Sequence, residues 1–579
     1  MLRLPILKWI KTYDQSKLSD DTVAAVIVTI MLIPQSLAYA MLAGLPPEVG
    51  LYASILPLFA YAIFGSSMTL AVGPVAVISL MTAAAVSQVA SVGTPEYLGA
   101  AILLSLLSGV MLTGLGLARA GFLANLLSHP VISGFISASA ILIAFSQLKH
   151  IFGIPVRGHD MPSILHDLII HIDQTNVPTL VIGGLSIAFL FWVRSGLKPL
   201  LIKIGLPSGI AGTLTKAGPV MAVIVSTTAV SLFALDQSGV SIVGIIPEGL
   251  PTPSLPELDL TLAKELIPAA FLISIVGFVE SVSVGHTLAA RRRERVQPNQ
   301  ELIGLGAANI ASGLGGGLPV TGGFSRSVVN FDAGARTPLA GVMTALMIAI
   351  TAVFLTPLFE FLPKAVLAAT VIVAVLSLVD LKTIQRVWIF SKPDFWAMAT
   401  TIAVVLGIGV EAGIIAGILV SISFLLAKIA RPQLAVIGQI PGTQHFRNEM
   451  RYDVVRSEKV LAVRLDEMLY FLNSHTFEDA ISELITTNNQ LTDLVLLCTA
   501  INEIDASGLE ILESINERLN SQGITFHLSE VKGPVMDRLN RVGFKAHLSG
   551  SIFLSHYDAM CALDPACESN GKVQSVGSH

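Results

Sequence analysis

Gly315-Gly-Gly-Leu-Pro-Val-Thr-Gly-Gly-Phe-Ser-Arg-Ser-Val-Val-Asn330 places an arginine, several hydroxyls and five glycines inside a chain otherwise rich in apolar runs. Glycine and proline interrupt a spanning helix there, and a cation, Arg326, follows at once. At membrane depth such a segment is costly unless it lines a cavity or meets a ligand. It reads as the binding element of a membrane protein that handles an anion.

The bulk composition sets the class. The 579 residues are 53% hydrophobic and 13% charged, with a mean hydropathy of +0.74. Soluble domains carry about 25% charged residues, so lipid is the solvent for most of this chain. The net charge of -5 comes without a basic arm and leaves no footprint for nucleic acid. The cysteines Cys498, Cys561 and Cys567 all lie near the C-terminus. They suggest no disulfide framework and point to a reducing compartment. Leu2 to Tyr13 is interrupted by Arg3, Pro5, Lys8 and Lys11, and it reads as a short amphipathic lead-in helix rather than a secretory signal. No nucleophile–base set, metal cluster or cofactor loop is visible. Gly322-Gly323 is not followed by Lys-Ser/Thr, so it is no nucleotide loop. Neither an enzyme nor a protein with a metal or cofactor is expected.

Composition shifts once. Residues 1–18 read as an N-terminal segment, 19–431 as a membrane domain, 432–557 as a soluble domain and 558–579 as a polar, disordered tail. A spanning helix needs about 20 apolar residues. Candidates centre near residues 30, 57, 82, 108, 140, 186, 227, 274, 307, 328, 350, 372, 402 and 421. Those near 82, 307 and 328 are short or interrupted. An even count puts both termini on one side. Lys8, Lys11, Lys17, Arg119, Arg194, Lys198, Lys203, Lys216, Arg291 to Arg293, Arg295, Lys382, Arg386, Lys392, Lys428 and Arg431 all fall on that side. The opposite loops carry few cations (Lys149, Arg157, Lys264, Lys364). The positive-inside rule then makes the termini cytoplasmic. A twelve-span count gives the same sides.

Fourteen divides into seven plus seven, and an odd repeat must be inverted across the membrane. Val72-Gly-Pro-Val75 opens short span 3, and Pro319-Val-Thr-Gly-Gly323 opens short span 10. Two broken segments in matching places point to a transporter binding site. Each presents a helix N-terminus with free N–H groups, which attracts anions.

Other spans supply polar residues. Gln35 and Tyr39 are four apart on span 1 and share a helix face. Glu280, the only acid within span 8, can carry a proton. Bland readings stay open beside these. Gln35 and Tyr39 can simply hold helices together. Ser325 can be an N-cap. Arg326 can balance Glu280 rather than bind an anion. Arg291 to Arg295 reads as a topology determinant.

These motifs together resemble the sulfate permease (SulP) family of anion transporters. The match runs through Ile33-Pro-Gln-Ser-Leu-Ala-Tyr-Ala40, Gly44-Leu-Pro-Pro-Glu-Val-Gly-Leu-Tyr52, Val72-Gly-Pro-Val75 and Glu280-Ser-Val-Ser-Val-Gly285. It continues through Pro319 to Asn330 and Gly334-Ala-Arg-Thr-Pro338. The resemblance implies a 7+7 inverted repeat split into core and gate subdomains, usually homodimeric. It implies an anion held between spans 3 and 10. The contacts it implies are Gln35, Tyr39, Gly73, Pro74, Val75, Gly322, Gly323, Phe324, Ser325 and Arg326. Glutamate at 280 resembles the proton-coupled members more than the sodium-coupled ones, which carry aspartate.

In the soluble domain, Lys459 to Leu465, Leu491 to Leu497 and Ile524 to Ser529 read as strands. Thr476 to Thr487, Leu509 to Gln522 and Val531 to Val542 read as helices. Alternation of this kind gives an α/β layer. The order, with Asp505-Ala-Ser-Gly508 and Leu465 to Asn473, resembles a STAS domain. Ser507 falls where related regulators place a phosphorylated serine, and it reads here as a turn and helix-start residue. The domain reads as a mediator of dimer contacts, trafficking or regulation through a cytoplasmic partner.

The expectation is an integral protein of the inner or plasma membrane that takes up sulfate with protons by alternating access. Sodium-coupled bicarbonate or C4-dicarboxylate uptake fits the same site. From other classes, an anion channel or a STAS-based signalling scaffold stays open.

Overall fold

The computed structural model describes residues 4–571 apart from 126–127, 157, 159, 208–210, 213, 216, 251–258, 487 and 489. The topology cations Arg157 and Lys216 and the tail beyond 571 lie outside the described residues. The chain divides into two compact units, Met1–Ser421 and Ile422–His579.

In the first unit each of the fourteen expected centres falls in a helix. They are α1 (Gln15–Leu42), α2 (Leu56–Phe64), α3 (Ala76–Val86), α4 (Pro95–Leu117), α5 (His129–Phe152), α6 (Val177–Trp192) and α7 (Gly218–Leu232). Then follow α8 (Leu260–Arg292), α9 (Pro298–Leu314), α10 (Phe324–Asp332), α11 (Leu339–Phe354), α12 (Lys364–Leu376), α13 (Lys392–Gly407) and α14 (Val410–Ala430). Among the described residues, eight helical stretches are long and apolar enough to cross a membrane. By contrast α3 has 11 residues and α10 has 9. At about 1.5 Å per residue neither helix on its own spans a hydrocarbon core of about 30 Å, so each covers only part of the depth and the extended segment before it covers more. Both are short because an extended segment precedes them. Val72–Gly73 (β1) and Thr321–Gly322 (β2) pair antiparallel, Val72 with Gly322 and Gly73 with Thr321.

The N-terminal lead-in is shorter than expected: one helical turn, Ile6–Trp9, runs into a 3₁₀ turn, Ile10–Thr12. Asp14 then caps α1 by accepting the Lys17 N–H at 2.9 Å.

Small residues let α4 and α9 meet closely. A Cβ on Gly109 would lie 2.7 Å from the Ile310 nitrogen, and one on Gly306 would lie 2.7 Å from the Thr113 nitrogen. That spacing is backbone against backbone, which only glycine permits. The first turn of α9 also carries Glu301, fully buried. Its carboxylate accepts from Tyr61 Oη (2.8 Å), Ser66 N (2.9 Å), Ser66 Oγ (2.6 Å) and Ser67 N (2.8 Å). The loop between α2 and β1 is thus tied to α9, and the position of β1 follows from it. On the other side Asp21 accepts from Arg336 N, Thr337 N and Thr337 Oγ1, which ties α1 to the turn after α10.

The second unit is built on a six-stranded sheet. Its strands are β3 (Leu434–Gln439), β4 (Phe446–Asn448), β5 (Val460–Leu465), β6 (Asp493–Leu497), β7 (Thr525–Ser529) and β8 (Ile552–Phe553), in the order β4-β3-β5-β6-β7-β8. β5 to β8 run parallel, while β3 runs antiparallel to both β4 and β5. The connections carry α15 (Ser474–Thr486), α16 (Ala506–Ser521) and α17 (Gly533–Arg541), as parallel neighbours require. Alternation along β6 sends Leu494 and Leu496 into one apolar cluster and Val495 and Leu497 into another.

The stretch from 558, expected to be disordered, is helical through 571: α18 (His556–Leu563) and α19 (Ala566–Gly571). Its polar composition hid a narrow apolar face. Ala559, Met560 and Cys567 pack with Ala435, Ile437 and Val495 on one face of the sheet.

Candidate functional site

The β1–β2 ladder brings the starts of α3 and α10 together, and a cavity of about 50 Å³ opens beside them. Gln35 and Tyr39 of α1, Val75, Ala76 and Val77 at the start of α3, Glu280 of α8, and Gly323 to Arg326 at the start of α10 all line it. Ala374, Val375 and Leu378, in and just after α12, form an apolar wall opposite.

The free donors sit one step further along the chain than the sequence suggested. The Gly322 N–H donates to Ser281 Oγ (2.8 Å) and the Gly323 N–H to the Ala71 carbonyl (3.3 Å). Neither can cradle an anion. The first bond within α10 runs from Ser327 N to Gly323 O, so the helix-start N–H groups are those of Phe324, Ser325 and Arg326. In α3 the first bond is Ser79 N to Val75 O. The corresponding groups there are Ala76, Val77 and Ile78, and Ala76 and Val77 reach the cavity. Pro74, which has no N–H, and Gly73 do not line it. Gly73 instead makes room for Arg326: a Cβ there would lie 2.7 Å from Nη1. Gly323, not Ser325, takes the cap position of α10 and offers no side-chain cap. Ser325 lies one residue inside the helix, is exposed and lines the cavity.

Arg326 is the electrostatic centre of the site. It is 2% exposed, and among the described residues Nη1 and Nη2 have no hydrogen-bond partner. No ion pair joins it to Glu280 within the described set, although both line the same cavity. Among the described residues the side chains of Gln35, Tyr39, Glu280 and Ser325 likewise make no hydrogen bond to protein. Burying a guanidinium without a partner is costly by several kcal/mol. The arrangement favours a small anion that the guanidinium, the helix-start N–H groups, Gln35 and Tyr39 can share.

A second set of residues holds these groups in place, and sequence reasoning did not single it out. Ser281 accepts from Gly322 and meets Thr321 Oγ1 at 2.7 Å, while Thr321 Oγ1 donates to the Gly277 carbonyl at 2.6 Å. Asn309 of α9 brackets Val320, donating to its carbonyl (2.8 Å) and accepting its N–H (2.9 Å). Ser327 Oγ accepts from Ala71 N (3.0 Å), and Asn330 donates to the Thr69 carbonyl (3.0 Å). Both strands are therefore fixed by protein groups alone.

Residues 18–401 match the sulfate permease family and residues 451–559 match the STAS domain. The chain belongs to the sulfate permease family. It is 36% identical to the chloroplastic sulfate transporter 4.1 of Arabidopsis thaliana, over 93% of this chain and 79% of that protein. It is 35% identical to the probable sulfate transporter MT1781 of Mycobacterium tuberculosis, over 91% of this chain and 92% of that one. The fold superposes on the murine Solute Carrier 26 family member A9 anion transporter in its inward-facing state. There the TM-score is 0.87 at 25% identity, covering 98% of this chain and 94% of that one. This member of the family is thus an integral membrane protein with a helical domain followed by a STAS domain. In the latter, Ser507 lies half-buried in the first turn of α16, two residues after Asp505. Asp505 caps that helix through Gly508 N at 2.8 Å.

Proposed function

We propose that this chain is a secondary active transporter that takes up an inorganic anion, sulfate together with a proton, by alternating access. The observation that carries the reading is Arg326, a buried guanidinium without a protein partner among the described residues, facing a cavity shared with two helix starts and Glu280. The guanidinium and the N–H groups hold the anion. Glu280, in the same cavity, takes up the proton and offsets the anion's charge. The apolar wall from α12 offers no hydrogen bonds, so it can slide against the loaded site without breaking polar contacts.

Two further observations support the wider reading. The antiparallel approach of β1 and β2 suits two halves inverted across the membrane, with fourteen crossings and both termini cytoplasmic. The sulfate named for the relatives above suits a site that offers donors and one fixed cation. In this reading the STAS domain serves dimer contacts or regulation, with Ser507 as a helix-start residue.

Uptake into proteoliposomes tests it, with labelled sulfate, bicarbonate and fumarate offered under imposed proton or sodium gradients. The expected outcome is sulfate uptake driven by external acid. Glu280→Gln should abolish the acid drive while leaving exchange of sulfate for sulfate intact. Acid-driven uptake unchanged in that variant would sink the proton role. Sodium-driven uptake of another anion would replace the substrate assignment.

A further inference from the structure

Cys561 and Cys567 flank the link between α18 and α19, in the stretch Cys561-Ala-Leu-Asp-Pro-Ala-Cys567. Their Sγ atoms face each other at 2.7 Å and both are free thiols. The link itself is built to hold them. The Asp564 N–H donates to the Met560 carbonyl (2.7 Å) and closes α18. The Asp564 side chain then accepts from Ala566 N (3.0 Å) and its carbonyl accepts from Cys567 N (3.0 Å). Pro565 fixes the intervening φ. Cys567 is buried with Ala435 and Ile437 of β3, whereas Cys561 is half-buried. The third cysteine, Cys498, lies buried in the other apolar cluster of the domain.

We propose that Cys561 and Cys567 form a reversible oxidative clip, a disulfide that pins α19 to α18 and through it to the face of β3. The oxidant is a small disulfide such as oxidised glutathione. The Cys561 thiolate attacks one glutathione sulfur, and one glutathione thiolate leaves. A protein–glutathione disulfide remains. Cys567 then gives up its proton to solvent, and its sulfur attacks Cys561 Sγ. The Cys561–Cys567 bond forms and the second glutathione thiolate leaves. Two protein thiols are oxidised, and one external disulfide is reduced to two thiols. Exposure assigns the order, because only Cys561 can be reached first. Burial also pushes the Cys567 thiol above its usual range, which keeps it protonated and leaves the first attack to Cys561.

The test uses the full-length protein in detergent, treated with oxidised glutathione, alkylated, digested and weighed. The peptide containing both cysteines should lose two hydrogen atoms and regain them with dithiothreitol. Cys561→Ser and Cys567→Ser should each abolish that loss. Cys498 should remain a free thiol throughout. An unreacted pair, a lasting glutathione adduct on Cys561, or a bridge to Cys498 or to a second chain would each overturn the proposal. Hydrogen exchange over residues 566–571 gives an independent reading. Oxidation should slow it, and unchanged exchange in a bridged chain would show a bond that clips nothing.

Discussion

Val72 and Gly322 face each other as Cα partners in an antiparallel ladder of two residues per strand, although most of the membrane domain separates them in sequence. The pairing decides which N–H groups are spent and which are free. Ladder and support bonds consume those of Gly322 and Gly323, and the helices that follow expose the next ones.

Arg326→Gln removes the fixed cation but keeps a polar side chain of moderate length. A hydrogen bond to a charged group is worth about 2 kcal/mol, so anion affinity should fall roughly thirtyfold. The half-saturating sulfate concentration in proteoliposome uptake measures this. Unaltered half-saturation would place the anion elsewhere.

Ser281→Ala deletes the acceptor for the Gly322 N–H and the partner of Thr321 Oγ1. A buried donor left unmet costs about 1–3 kcal/mol. Thermal unfolding in detergent should shift downward, and anion affinity should drop with it although Ser281 does not line the cavity. A stable variant with normal affinity would mean that Asn309, the Thr321–Gly277 bond and the pairing with β1 hold β2 without Ser281.

Gly323→Ala places a methyl 3.0 Å from Val75 Cγ1 and 3.1 Å from Arg326 Nη2. The guanidinium is the more mobile neighbour and should give way. The protein should fold with near-normal thermal stability yet bind its anion more weakly. Full activity in this variant would show that Arg326 has slack in its seat.

His556 opens α18 and meets Ser529 Oγ through Nδ1 at 2.8 Å, while among the described residues Nε2 has no partner. Burial lowers its pKa from 6.5 to about 4. The unfolded chain therefore takes up the proton before the folded one does. Stability is complete above the unfolded value and is lost as pH falls from about 6.5 to about 4, a loss of about 3 kcal/mol. Urea unfolding of the STAS domain within the full-length protein, followed over that window, checks the slope. His556→Gln should flatten it.

Contrast explains what the sequence revealed. Gln35, Tyr39, Glu280 and Arg326 stand out as polar residues in apolar runs, and the fold gathers all of them at one cavity. Ala374, Val375 and Leu378 line it too, but an apolar residue in an apolar helix carries no mark. Ser281, Asn309 and Ser327 were equally silent, since their work depends on which backbone group lies opposite. Register also misled the reading of Gly73, Pro74 and Gly322. A helix N-terminus is visible in sequence, but the first free N–H is set by where its opening bond closes. In the soluble domain β3, β4 and β8 went unread because an edge or antiparallel strand of a few residues carries little periodicity.

Gly277, Glu280 and Ser281 share one turn of α8, and the outer two are bonded to Thr321 and Gly322. The carboxylate thus stands next in the chain to Ser281, which anchors β2. Binding free energies around a closed cycle must agree. Under the proton role proposed for Glu280, whatever factor an anion imposes on proton affinity there, a proton must impose on anion affinity. A single helical turn gives that reciprocity a short mechanical path, with Thr321 and Ser281 as its two links.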